Sequence, residues 1–386
     1  MPRGKAEIHY GPQPVTPGCP PLTIVADDLT GACDAAVAFT SVCDPVRVRI
    51  FGQVAENSAV HAITTESRDM PAEQAELRLR HIVERLPPRA ELFKKVDSVF
   101  RGNTIVEIAA TLRHARFELA IIAPAYPALG RTTNGGVLNI SGSAGSRTVP
   151  IADLLAKAGC SLRRLAVDES SEPLAASLAN CIFSGTPAAL CDASTQTHLK
   201  EIVRAARSLG KRILWVGSGG LAHALAAELP AVTVQPARRL REGATIFFVG
   251  SPHPVSRAQI DRLRQVAGIA EHPPLATHST GDDLLVAIEL GQTTPDEILR
   301  ALSPYRPEQI GCLFMTGGDT AHFLCRALEI QSLRLLYEFA PGVPVAVAED
   351  GPFDGVHVVL KSGGFGENDL LCRLLEAHRA SPEVIA

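Results

Sequence analysis

Nine cysteines (Cys19, Cys33, Cys43, Cys160, Cys181, Cys191, Cys312, Cys325 and Cys372) are scattered along the chain, with no Cys-x-x-Cys pair among them. The odd number and the missing pair argue against a disulfide framework or a zinc site and predict reduced, mostly buried thiols in a cytoplasmic protein. No apolar run approaches the ~20 residues a membrane-spanning helix needs. The N-terminal MPRGKAEIHYGPQPVTPGCPP has no apolar segment after its basic residues, so it does not read as a signal peptide. Charge of either sign is not in large excess: the formal net charge is -4, which weakens any nucleic-acid or membrane-surface reading. Two nucleotide fingerprints are also missing. There is no Gly-x-x-x-x-Gly-Lys-[Ser/Thr], and no Gly-x-Gly-x-x-Gly opens the first helix, which argues against a P-loop enzyme and a dinucleotide fold. Internal repeats and low-complexity segments are absent.

What is present is a long, ordered α/β pattern. With 386 residues, 46% hydrophobic and 20% charged, the chain is too large for one core and too apolar for disorder, so two domains are expected. From residue 22 short apolar runs alternate with Gly- or Asp-containing turns and segments of helical spacing. Strands are predicted at Leu22–Ala26, Val46–Phe51, Leu119–Ala123, Arg164–Val167, Ala188–Cys191 and Ile213–Val216, with helices over Ala72–Arg85, Thr104–His114, Thr197–Leu209 and Leu221–Ala227. Periodicity fades around residues 229–244, and a second alternation starts at Thr245–Val249. It continues through Val255–Val266, Gly311–Met315, Ala321–Leu328 and Val356–Leu360. The expected organisation is a poorly ordered extension over 1–21, one α/β domain over 22–235 and a second over 244–380. Their sheets should be mostly parallel, with the active site in the cleft between them.

In open α/β sheets ligands sit at the carboxyl ends of strands, and the polar clusters fall there. Asp27 and Asp28 close the first strand; a carboxylate there can take a proton from an attacking hydroxyl or hold hydroxyls or magnesium, or simply cap the helix. Lys95, Asp97, Ser98, Arg101 and Asn103 precede a helix, where a guanidinium fork and free amides can clamp a substrate carboxylate. Arg131 follows another strand and is a weaker candidate. The Gly217-Ser218-Gly219-Gly220 turn suits an anion or plain tight packing, and His253, between two prolines, reads as a loop residue. Two further glycine turns, Thr316-Gly317-Gly318-Asp319-Thr320 and Lys361-Ser362-Gly363-Gly364-Phe365-Gly366, let bare backbone approach phosphates and together with Lys361 describe a nucleotide site.

Taken together these pieces resemble the four-carbon acid sugar kinases, long known as a domain of unknown function, which act on acids such as threonate, erythronate and 3-oxo-tetronate. The match runs from residue 22 to the end. It rests on Ala26 to Ala32, Lys95 to Ser98 with Arg101 to Asn103, Pro124 to Arg131, Gly250-Ser251, Gly317 to Thr320 and Lys361 to Gly366. The resemblance implies a first domain that holds the sugar acid and a second that holds ATP with Mg2+, its ligands unspecified. It places Asp28 or Asp27 at the transferred phosphoryl group, and Ser98, Arg101 and Asn103 on the acid. Ser251, Gly317, Gly318, Asp319, Thr320, Gly363 and Gly364 would lie on ATP. Val99-Phe100 replaces the Thr-Leu of many relatives and removes a hydroxyl beside the acid clamp. The expected partners are a small sugar acid and ATP, without nucleic acid or membrane; a homodimer is allowed but not required. A non-catalytic binder and an NAD-linked sugar-acid dehydrogenase are the rival readings, opposed by the retained acidic pair and the missing dinucleotide fingerprint.

Overall fold

The computed structural model of the protein describes residues 21–50, 60–86, 91–142, 145–167, 173–230, 241–267, 269, 271–272 and 283–380. Most of the expected 1–21 extension and the centre of the 229–244 boundary therefore lie outside the described residues. The strands are Leu22–Ala26 (β1), Val46–Arg49 (β2), Val60–Thr64 (β3), Glu91–Lys95 (β4), Leu119–Ala123 (β5), Arg131–Asn134 (β6), Val137–Gly142 (β7), Gly145–Val149 (β8), Arg163–Ala166 (β9), Ala188–Asp192 (β10) and Ile213–Gly217 (β11). They continue with Ala244–Val249 (β12), Glu271–His272 (β13), Leu284–Ala287 (β14), Ile310–Thr316 (β15), Ser332–Ala340 (β16), Val343–Glu349 (β17) and His357–Lys361 (β18).

Fifteen of these strands form one sheet among the described residues, in the order β13-β14-β12-β15-β18-β17-β16-β2-β3-β1-β4-β11-β5-β10-β9. Pairing is parallel except at β18–β17, β17–β16 and β16–β2. The mostly parallel sheet expected of each half is present, and the β16–β17 hairpin joins the two edge to edge, with Ser332 opposite Arg49 and Leu335 opposite Val46. Arg47 Nε meets Glu349 Oε2 at 2.8 Å, and Arg334 Nε lies 3.4 Å from Glu349 Oε1. The remaining strands, β6, β7 and β8, make a small antiparallel sheet of their own.

The central strands read as near-continuous apolar runs, Leu-Thr-Ile-Val-Ala in β1 and Ile-Leu-Trp-Val-Gly in β11, because helices cover both faces. On one face lie Leu29–Ala36 (α1), Leu174–Phe183 (α5), Gln196–Ser208 (α6), Gly219–Ala227 (α7), Pro295–Leu302 (α9) and Gly318–Ala327 (α10), whose buried side chains join a single core spanning both halves. On the other face Ala72–Val83 (α2), Thr104–His114 (α3) and Ile151–Lys157 (α4) cover the first half, and Pro254–Ala267 (α8) with Leu370–Arg379 (α11) cover the second. Between β1 and β15 lie five other strands, so a flat sheet would separate them by roughly 29 Å, six spacings of about 4.8 Å. The sheet is therefore strongly bent, since α1 and α10, which follow β1 and β15, pack directly on each other. The small residues of α1, every one buried, permit that approach.

No helix among the described residues is long and apolar enough to cross a membrane. Among the described residues seven cysteines are free thiols, as expected; Cys43 departs from the expectation, being disulfide-bonded.

Candidate active site

The bend brings the carboxyl ends of β1, β3, β12, β15 and β18 around one cleft of about 330 Å³. Its first wall carries Asp28, Thr30, Arg68, Asp69 and Arg101. Its second carries Ser251, His253, Gly317 to Thr320 and Ser362 to Gly364. The walls touch: Ser362 Oγ donates to Thr30 Oγ1 at 3.2 Å. A Cβ placed on Gly318 would overlap Asp28 Oδ2 and stand 3.2 Å from Thr30 Oγ1, so only glycine fits beside that carboxylate.

Asp28 is both a helix cap and a cleft residue. Its extended backbone precedes α1, and Oδ1 accepts the Gly31 N–H at 2.7 Å. Oδ2 accepts the Thr30 hydroxyl at 2.8 Å and Arg68 Nη1 at 2.6 Å. Burial alone would raise its pKa, but Arg68, Lys95 and these donors overcome that and hold it below the usual carboxylate value. Asp27 lies behind the cleft lining, with Arg68 Nε on Oδ2 at 2.8 Å and Nη2 on Oδ1 at 3.1 Å. Burial pushes its pKa up to about 6 against the pull of Arg68, and the neighbouring Asp28 adds to the rise. The folded chain therefore holds a proton there between about pH 4 and 6 that the unfolded chain releases, and this contribution to stability is lost as pH rises through about 6.

Arg68 is the residue that sequence reasoning missed. It follows β3 in a run of polar residues, Thr64 to Asp69, which resembles the other strand-end clusters except that it has no glycine. Its guanidinium also lies 3.4 Å from Asp97 Oδ2. Asp97 accepts the Val99 and Arg101 N–H groups on Oδ1, each at 3.0 Å, and Arg101 Nη2 on Oδ2 at 2.6 Å. Burial opposes its ionisation, yet Arg101 and Arg68 hold its carboxyl well below the usual range.

Other predicted residues stand elsewhere than expected. Lys95 does not line the cleft; its ammonium is buried between the Val96 carbonyl at 3.1 Å and Asp34 at 3.3 Å. Asn103 Nδ2 donates to the Ser67 and Met70 carbonyls at 2.8 and 2.7 Å, so its amide fixes the loop that carries Arg68. Ser98 is buried and outside the lining. Arg131 stands on β6 with its guanidinium carbon 5.9 Å from the centre of the Phe365 ring, and its Nε is buried without a hydrogen-bond partner. Burial lowers its pKa.

Lys361 departs most clearly from a phosphate-contacting role. Its Nζ points into the 362–366 turn, 3.1, 3.0 and 3.2 Å from the Ser362, Gly363 and Phe365 carbonyls and 3.2 Å from Ser256 Oγ. It is buried, lies outside the cleft lining, and with no carboxylate beside it is pushed down to about 7. Ser251, Gly317, Gly318, Asp319, Thr320, Gly363 and Gly364 do line the cleft. Burial raises Asp319, with Asp69 and Asp28 adding to the rise. His253, read as a loop residue, lines it too; its Nδ1 accepts the Val255 N–H at 3.2 Å and its ring packs on Gly364. The Gly217–Gly220 turn is explained by packing: Gly219 lies under the Tyr126 ring and Ser218 Oγ donates to Ala125 O at 2.9 Å.

A glycine-lined wall that lets bare backbone approach phosphates faces a carboxylate–guanidinium wall across the cleft. The description of a sugar-binding N-terminal domain matches residues 22–225, and that of a nucleotide-binding C-terminal domain matches residues 287–371. The chain belongs to the four-carbon acid sugar kinase family. It is 31% identical to a D-threonate kinase of Bordetella bronchiseptica over 94% of its own length and 98% of the relative's. A D-threonate kinase of Cupriavidus necator is also 31% identical, over 92% and 97%, and a 3-oxo-tetronate kinase of Burkholderia multivorans is 25% identical, over 93% and 97%. A solved protein from Salmonella typhimurium superposes with a TM-score of 0.69 at 20% identity, covering 92% of this chain and 98% of its own, and so shares the fold.

Proposed function

We propose that this protein transfers the γ-phosphoryl group of ATP in line to a terminal hydroxyl of a four-carbon sugar acid. The observation that carries the proposal is the meeting of Asp28 with the glycine turn that opens α10. Asp28, the cleft carboxylate that meets the glycine turn, would orient or deprotonate the hydroxyl, with Asp27 behind it. The cleft fits a triphosphate on the opposite wall: bare backbone at Gly317, Gly318, Gly363 and Gly364, the N-terminus of α10, and the Ser251 and Thr320 hydroxyls. Phosphoryl transfer depends on positioning and charge stabilisation, so no covalent nucleophile is required.

Arg101, its side chain 54% exposed, and Arg131 with its unpartnered Nε are suited to hold the acid's carboxylate. Asp97, Ser98, Asn103 and Lys95 build the wall behind them. Lys361 acts through the turn it braces. Magnesium would enter with the nucleotide, on its phosphates. Residues 22–235 and 244–380 are proposed as the sugar-acid and nucleotide domains.

The test is ADP formation with threonate, erythronate and 3-oxo-tetronate, the acids for which the relatives are named. Acid-dependent turnover is expected. Folded protein that stays silent with every acid in the presence of magnesium would overturn the assignment. The acidic pair also sets the pH dependence: kcat/KM is expected to fall on the acid side of about pH 6, where Asp27 takes up its proton and the pair loses negative charge. A flat profile from pH 5 to 7 would show that the charge on Asp27 does not bear on the rate.

A further inference from the structure

We infer that Arg68 is the positioning residue of this reaction: a single guanidinium that holds Asp27, Asp28 and Asp97 at fixed spacing where Asp28 meets the nucleotide turn. The inference rests on the kinase reading above.

Geometry carries it. The Arg68 fork takes both oxygens of Asp27 at 2.8 and 3.1 Å and reaches Asp28 Oδ2 at 2.6 Å and Asp97 Oδ2 at 3.4 Å. Five N–H groups in one plane can bridge three carboxylates this way, and a lysine ammonium cannot. The side chain is only 14% exposed, and its loop is immobilised: Ser67 N donates to Asp27 O at 3.0 Å while Asn103 Nδ2 grips the Ser67 and Met70 carbonyls. A residue so occupied is poorly placed to follow a substrate, unlike the exposed Arg101. It is well placed to fix the groups that the substrate meets.

Charge balance points the same way. Lys95 is paired with Asp34, Lys94 with Glu107 at 2.9 Å, and Arg101 with Asp97. Asp28 is faced by Asp27 and Arg68, by Lys95 and Arg101 from the β4 side, and by Asp69 and Asp319 from the cleft rim. Arg68 is the cation shared by the adjacent acids Asp27 and Asp28. Without it, two neighbouring buried carboxylates resist ionising together.

The experiment measures kcat, both KM values and the pH–rate profile for Arg68→Lys and Arg68→Ala. For Arg68→Lys, kcat is expected to fall on the order of 100-fold with KM for ATP nearly unchanged. The acid limb should move up by about one pH unit or more, since the fork onto both acids is lost. In Arg68→Ala, added guanidinium ion should restore part of the rate. If Arg68→Ala does not fold, Arg68→Lys, which keeps a cation in place, decides the matter. A loss confined to KM for the acid, or an acid limb that does not move, would overturn the inference. Wild-type turnover is the separate control: its absence sinks the kinase reading and this inference with it, whereas an active wild type with an unmoved variant limb sinks this inference alone.

Discussion

Asp28→Asn is expected to lower kcat by about 10²- to 10⁴-fold, the usual contribution of a positioned acid–base group. The substitution is a sharper probe than alanine because asparagine is as good a helix cap as aspartate, so α1 keeps its start. Only charge and one acceptor are lost. Oδ1 now serves the Gly31 N–H, and Oδ2 serves both Thr30 and Arg68. An amide nitrogen must face one of these donor sets, which costs about 1–3 kcal/mol for the unsatisfied group. Relief of the repulsion from Asp27 offsets part of that cost. The expected outcome is a folded protein with a modestly lower Tm and almost no turnover, read by steady-state kinetics beside a thermal melt. Turnover within tenfold of wild type would leave Asp28 as a cap alone.

The second large effect is expected at Gly318. Alanine there would drive its methyl into Asp28 Oδ2, with Asp28 Cγ and Thr30 Oγ1 each at 3.2 Å. The carboxylate is held by three donors and cannot swing aside, so the two walls must part. A displacement of about 1 Å between reacting groups can cost on the order of 100-fold in rate. Stability should respond differently. Gly318 is the first residue of α10, where alanine is the better helix former by up to about 1 kcal/mol, and the strain can be relieved by opening a solvent-filled cleft. Gly318→Ala is therefore expected to lose at least about 100-fold in kcat/KM for ATP while its Tm moves by only a few degrees. Unimpaired nucleotide turnover would show that the walls do not meet during catalysis.

Much of this site was legible in the sequence because its signals are local. An apolar run followed by glycine or an acid marks a strand end, and Asp28, Arg101, Ser251, Gly317 to Thr320, Gly363 and Gly364 all reach the cleft by that rule. Direction and company are not local. Lys361 ends a strand whose side chains alternate between faces, and nothing in Val-Val-Leu-Lys-Ser says that its ammonium turns back under its own loop. Lys95 and Asn103 have site-like neighbours in sequence, but their polar atoms are taken by Asp34 and by the 67–70 loop, distant segments that only the fold brings near. Arg68 went unread because its partners are 29 to 41 residues away. The seam between the halves had a visible mark, Pro341-Gly342 between the apolar-rich segments Leu333–Phe339 and Val343–Val347. Only the register with β2 shows what that hairpin does.

That seam limits how the enzyme can breathe. Polypeptide connectivity alone would allow the two lobes to swing apart like free doors, but here a hydrogen-bonded backbone ladder, flanked by the Arg47–Glu349 and Arg334–Asp44 ion pairs, runs across the joint. Separation along the ladder would break main-chain bonds, whereas torsion about it would not. Substrate entry and product departure are therefore expected to use torsion of the bent sheet and not separation of the lobes at the β2–β16 seam.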